Sequence, residues 1–237
     1  MSQQVDRLLG DKPPRLPRTR PRVPAWLAAL AILAVLGLAA AGYYFLRPLD
    51  APIPSGAGAL YADLEQGATD EGYPTLGSAD APVTVEVFSS FACPHCREFA
   101  DEWFPVLVDD IATGQVRFVY VPVSHIGPGG AEAAAAALCA NEQGKFWTMH
   151  DVLFAWQDKF LTQVFAERRL KKGAEALGLN MAAYDACMSS ERPQAIINRA
   201  SELFDQRGLR GTPTIFVNGE QIQDYEQLEH LGEGDRS

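Results

Sequence analysis

Cysteine and histidine are scarce in this chain, four of each in 237 residues, and the scarcity excludes several architectures. Four sulfurs cannot build the dense disulfide scaffold of a small secreted domain, although an even number permits full pairing. They include one Cys-X-X-Cys clip, Cys93 and Cys96, with Cys139 and Cys187 far away in sequence. Structural zinc ordinarily takes two such clips, and a set completed by His95 would be strained, so no metal is expected. Basic excess is missing as well: the formal net charge is −10, and an acidic body repels nucleic acid. No internal repeat is visible. With 47% of residues hydrophobic, a sizeable core is available.

Charge is also missing locally. "WLAALAILAVLGLAAAGYYFL", Trp26 to Leu46, carries none, and about 20 apolar residues suffice to cross a bilayer core. Trp26 at one end and Tyr43 and Tyr44 at the other suit the two interfaces. The preceding arm holds Arg7, Lys12, Arg15, Arg18, Arg20 and Arg22 against Asp6 and Asp11. The positive-inside rule keeps such an arm cytoplasmic and places everything after Arg47 outside. A cleaved signal peptide, cut before Gly42 behind Ala39 and Ala41, is the alternative, but the run exceeds a typical signal core. Either reading exports the remainder of the chain. The expected organisation is therefore a basic cytoplasmic arm over 1–23, a transmembrane anchor over 24–46 and a Pro/Gly/Ala-rich linker over 47–75. One domain over 76–237 completes it, with Tyr73 to Leu76 as its approach.

Within that domain "VTVEVFSSF", Val83 to Phe91, reads as a buried strand. A helix is expected from Pro94 to Ile111, kinked at Pro105. "QVRFVYVPV", Gln115 to Val123, is a second strand, and a helical block occupies about 129–207. "TPTIFVNGEQI" reads as strand, Asn-Gly turn and strand, and a short helix over Asp224 to Leu231 closes the chain. Strands alternating with helices indicate a βαβ unit, hence an α/β fold carrying a helical insertion.

The clip itself is "FACPHCREF". Pro94 suits the first helical turn, which sets Cys93 at a helix N-terminus where the dipole and free N–H groups favour a thiolate. His95 could add positive charge or a donor. A thiolate stabilises the reduced form: titration at about 5 contributes about 2.7 kcal/mol at pH 7, or about 60 mV toward oxidising power. Cys93 would be the exposed sulfur that attacks or is attacked, and Cys96 the partner that resolves the mixed disulfide. "GTPT", Gly211 to Thr214, contains an X-Pro bond that can be cis at low cost. A turn there could bring the Thr212 backbone to the cysteines to hold an incoming chain as an added strand.

"CPHC" after one strand, "GTPT" before another and helices between them resemble the DsbA-like branch of the thioredoxin superfamily, over about Leu76 to Leu231. The resemblance implies a thioredoxin fold with a helical insertion and a cis bond at Thr212–Pro213. It also implies disulfide exchange toward exported proteins through Cys93 and Cys96, with no cofactor beyond their redox-active disulfide. Reoxidation would fall to a membrane partner resembling DsbB or a vitamin K epoxide reductase homologue. Many relatives hold an acid six residues before the first cysteine; here that position is Val87, and Glu86 should face the other way. Cys139 and Cys187, in an oxidising compartment, are expected to pair as a structural disulfide. His125, His150 and His230 read as ordinary surface or core residues. The competing functions are an isomerase or reductase with the same cysteines, and a metal-binding thiol chaperone.

Overall fold

The structure, a computed structural model, describes residues 24–46, 49–124 and 126–233. The basic arm, Arg47 and His125 lie outside the described residues. Two units are distinct, residues 1–48 and residues 49–237. The first is seen as one helix, α1 (Ala25–Leu46), whose stretch Ala25–Tyr43 has a mean hydropathy of 2.2 and the length to cross a membrane. No polar face interrupts it, the pattern of a helix surrounded by an apolar medium.

The second unit is built on a six-stranded mixed sheet in the order β1-β2-β4-β3-β5-β6. Its strands are β1 (Gln66–Ala68), β2 (Pro74–Leu76), β3 (Val83–Ser89), β4 (Val116–Pro122), β5 (Thr214–Val217) and β6 (Glu220–Ile222). β3 and β4 run parallel, and the other pairs are antiparallel. A parallel pair needs a crossover, supplied by α2 (Pro94–Glu102), a 3-10 turn (Phe104–Leu107) and α3 (Val108–Ala112). The single kinked helix expected over Pro94 to Ile111 is thus broken into three pieces. The Pro105 ring disfavours helical geometry at Phe104 and cannot donate into the ladder, so α2 stops first.

Between β4 and β5 run α4 (Gly130–Asn141), α5 (Phe146–Lys159), α6 (Glu167–Ala176), α7 (Met181–Met188) and α8 (Arg192–Gln206). The alanine-rich α4 is buried from Ala133 through Ala140 apart from Ala135; small side chains let its neighbours approach closely. α6 meets α5 as tightly: a Cβ added at Gly173 would lie 2.6 Å from the Trp156 ring. The hairpin β5–β6 turns at Asn218 and Gly219, both at positive φ (49° and 84°), as an Asn-Gly turn of the I′ kind requires. The closing segment Tyr225–Glu233 is 3-10 rather than α-helix.

Alternation along the strands separates two cores. Val85, Val87, Phe118 and Tyr120 face α2 and α5, joined there by Phe104, Trp147 and Cys96. Phe88, Val119, Val121 and Phe216 face α8 and pack on Ala200 and Phe204. Glu86 points to this second side and pairs with Arg207, whose guanidinium lies 5.1 Å and 4.7 Å from the Phe88 and Phe216 ring centres.

The linker expected over 47–75 is, from Leu49 onward, part of the folded unit. Trp156 Nε1 donates to the Pro52 carbonyl (2.9 Å) and Arg169 Nε to that of Asp50 (2.8 Å). Asp151 accepts from the Gly58 N–H and the Tyr61 hydroxyl, both at 2.8 Å, and Tyr61 is only 2% exposed. Burial raises the Asp151 pKa, but His150, Gly58 and Tyr61 outweigh it and hold the carboxyl below its ordinary value. A proline-rich stretch became a strap because its partners lie some ninety residues later, beyond any local pattern.

Candidate active site

β3 ends at Ser89, and a tight turn delivers the chain to α2. The Cys93 N–H donates to the Ser90 carbonyl (3.0 Å), the Ser90 hydroxyl donates to the Ile126 carbonyl (3.1 Å), and Ser90 Oγ accepts from the Ala92 N–H (3.3 Å). Cys93 is the N-cap of α2 at φ −95°, ψ 120°, and Pro94 takes the first helical position. There its missing N–H is no loss and the helix dipole acts on the Cys93 sulfur. Gln157, from α5, donates to the carbonyls of Phe91 and Cys93 and so pins this turn from the helical insertion. Nothing in the sequence singled Gln157 out; its contacts span more than sixty residues.

The turn before β5 closes the site. Thr212–Pro213 is cis, and Cys93 Sγ donates to the Thr212 carbonyl at 3.1 Å. Cys93 is consequently 4% exposed, against 1% for Cys96. The open exposure expected of the Cys93 sulfur is therefore wrong, because the Thr212 carbonyl covers it. Beside it opens a surface cavity of about 360 Å³, lined by His95, Glu98, Phe99, Trp103, Thr212, Pro213 and Tyr225. Trp103 and Tyr225 form one wall, with rings 5.7 Å apart. Neither was anticipated from sequence.

The two thiols are driven apart in acidity. Hydrogen bonding from Cys96 lowers Cys93 most, burial works against it, and Thr212 with the backbone N–H groups of Cys96 and His95 lowers it further, to about 5. Cys96 moves upward, through burial first and then the hydrogen bond and negative charge of Cys93. His95 therefore acts through its backbone; its ring turns to Glu98 at 3.2 Å. Cys139 on α4 and Cys187 on α7 are joined as a disulfide across 48 residues, well inside the helical insertion. Among the described residues no cluster of three metal-ligating side chains forms. His150 is buried in an aromatic cage and contacts Asp151.

An ionisable sulfur at a helix mouth, a protonated partner one turn inside and a cis-proline opposite are the parts of a thiol–disulfide exchange site on a thioredoxin fold. The family model described as Thioredoxin matches residues 69–233. Disulfide bond formation protein D of Bacillus subtilis is 30% identical over 174 residues, 69% of this chain and 75% of that one. The oxidised crystal structure of BdbD from Bacillus subtilis superposes with a TM-score of 0.61 at 28% identity, over 73% of this chain and 100% of that one. Na(+)/H(+) antiporter NhaA 3 of Salinispora tropica is 35% identical over 145 residues, 60% of this chain. This chain spans only 21% of that relative's length. The chain belongs to the thioredoxin family, in its DsbA-like branch.

Proposed function

We propose that this protein is a membrane-anchored thiol–disulfide oxidoreductase that gives its Cys93–Cys96 disulfide to proteins exported from the cytoplasm. The observation that carries this reading is the geometry of the two thiols: Cys93 caps the N-terminus of α2 against the Thr212 carbonyl of the cis Thr212–Pro213 bond, and Cys96 lies buried one turn inside. A substrate thiolate attacks Cys93 Sγ, forming a mixed disulfide and leaving the electron pair of the broken bond on Cys96. A second substrate thiolate then attacks the substrate's own sulfur in the mixed disulfide. Cys93 departs as a thiolate, a good leaving group because the helix mouth stabilises it. The substrate leaves oxidised and the enzyme holds two thiols. Thr212 and Pro213 present the backbone edge beside which an extended substrate would lie, and Trp103 and Tyr225 give that edge an apolar wall.

No cofactor enters these steps; the electrons stay on sulfur until a membrane reoxidant removes them. The apolar α1, behind an arginine-rich arm, supports anchoring with the catalytic unit outside the cytoplasm. An oxidising compartment also suits the Cys139–Cys187 disulfide. The test uses the full chain in detergent. Oxidised protein mixed with a reduced, unfolded substrate should form substrate disulfides one for one. Reduced Cys96→Ala offered a disulfide-bonded substrate should accumulate mixed disulfides through Cys93, the second substrate sulfur leaving as a thiol. Substrate disulfides that are reduced or merely reshuffled under the same conditions would favour a reductase or isomerase.

A further inference from the structure

The buried sulfur poses a problem that the exposed end of the site does not solve. Each exchange makes Cys96 an anion inside an apolar core, where an unpartnered charge is strongly disfavoured. Val87, which a charged group could have occupied, is itself 1% exposed. Alternation places Ser89 on the same face of β3 as Val85 and Val87, the face that also holds Cys96 and Tyr120. The parallel register sets Val87 beside Tyr120 and Ser89 beside Pro122. Ser89 is 4% exposed and Tyr120 1%. Two hydroxyls and a thiol thus share a wall otherwise made of Val, Phe and Trp.

Their contacts are incompletely used. Cys96 Sγ accepts from the Ser90 N–H at 3.4 Å. The Tyr120 hydroxyl makes no well-formed hydrogen bond among the described residues, with its ring stacked 5.3 Å from Phe91. Burial raises its pKa most, and Ser89 is near enough to oppose that rise. Ser89 and Thr212 likewise counter the upward push that burial and Cys93 exert on Cys96. Tyr225, across the site, also lies within the field of both sulfurs.

We propose that the Ser89 hydroxyl, supported by that of Tyr120, is the side-chain donor that stabilises the Cys96 thiolate as it forms and disappears. The inference rests on the exchange reading above. As an incoming thiolate R–S⁻ bonds to Cys93 Sγ, the Cys93–Cys96 bond breaks and its electron pair passes to Cys96 Sγ. That anion accepts hydrogen bonds from the Ser90 N–H and Ser89 Oγ–H, then takes a proton from water. In the reverse direction Cys96 loses the proton, attacks Cys93 Sγ and expels R–S⁻.

Because the donor acts on a transient anion, its removal should slow both directions equally. With reduced and oxidised glutathione as the probes and the full chain in detergent, Ser89→Ala should lower forward and reverse rates about tenfold, the scale of one hydrogen bond to a charged group. The equilibrium constant at pH 7 should stay within about twofold, since Cys96 is a thiol in the reduced protein of either variant. Ser89→Thr, which keeps the hydroxyl, should restore the rate, and Tyr120→Phe should lower it by about threefold as the supporting hydroxyl is removed. Unchanged rates in both Ser89→Ala and Tyr120→Phe would overturn the proposal, as would a shift of the equilibrium constant that matches the loss of rate. Should Ser89→Ala fail to fold, Tyr120→Phe decides alone. Absence of exchange in the unmodified chain would instead remove the functional reading on which the proposal rests.

Discussion

Two cysteine pairs occupy one fold, and the proposed function gives them opposite tasks. Cys139 and Cys187 join α4 to α7, both residues at 1% exposure or less, and seven of the twelve residues of α4 around Cys139 are alanine. Cys93 stands at a helix mouth, where the backbone N–H groups of His95 and Cys96 favour a thiolate, and Cys96 Sγ accepts from the Ser90 N–H. Burial does not separate the pairs, since Cys93 is itself only 4% exposed. What separates the pairs is whether the surroundings can hold a negative sulfur. The first pair staples the insertion. In the proposed function the second trades electrons.

That contrast is broken most completely by removing the nucleophile. Cys93→Ser should abolish exchange, because the thiolate carries the chemistry, whereas Cys139→Ala with Cys187→Ala should leave the exchange rate with glutathione unchanged. The double variant should instead lose stability in denaturant titration, by about 4 kcal/mol for a crosslink closing this length of chain. A double variant of full stability but no activity would reverse the roles assigned to the two pairs.

Acidity sharpens the comparison next. Cys93 is held at about 5 in the folded chain, below its unfolded value of about 8.5. Its contribution to the stability of the reduced protein is therefore full above the unfolded value and is lost as pH falls through the folded one. At pH 7 it amounts to about 2 kcal/mol once solvent screening is allowed for. Denaturant titrations at pH 7 and pH 4 should show the reduced protein losing that margin relative to Cys93→Ser.

Smaller effects map the supports. Gln157→Ala frees the Phe91 and Cys93 carbonyls and should cost about 1 kcal/mol while slowing exchange, because the turn before α2 loosens. Arg207→Gln, on the far face of the sheet, should cost less than about 1 kcal/mol and leave exchange untouched. An exchange defect in Arg207→Gln would show that Glu86 reaches the site after all.

Much of this was legible where the determinants are local. The β-branched run of β3, Pro94 at the first turn of α2 and the Asn218–Gly219 hairpin each carry their geometry in adjacent residues. The strap over 49–75 was not legible, because Tyr61 meets Asp151 only after folding. Gln157, Trp103 and Tyr225 were missed for the same reason: each reaches the site from a separate element. Ser89 was missed differently. It lay in view within "VFSS", but its meaning depends on the register that sets its face of β3 beside Tyr120.

The most direct measurement is the rate of Cys93 alkylation in the reduced full chain, followed against pH. A single step with its midpoint near 5 and a plateau through neutrality is the predicted result. A midpoint near about 8.5, the value of an ordinary thiol, would contradict it.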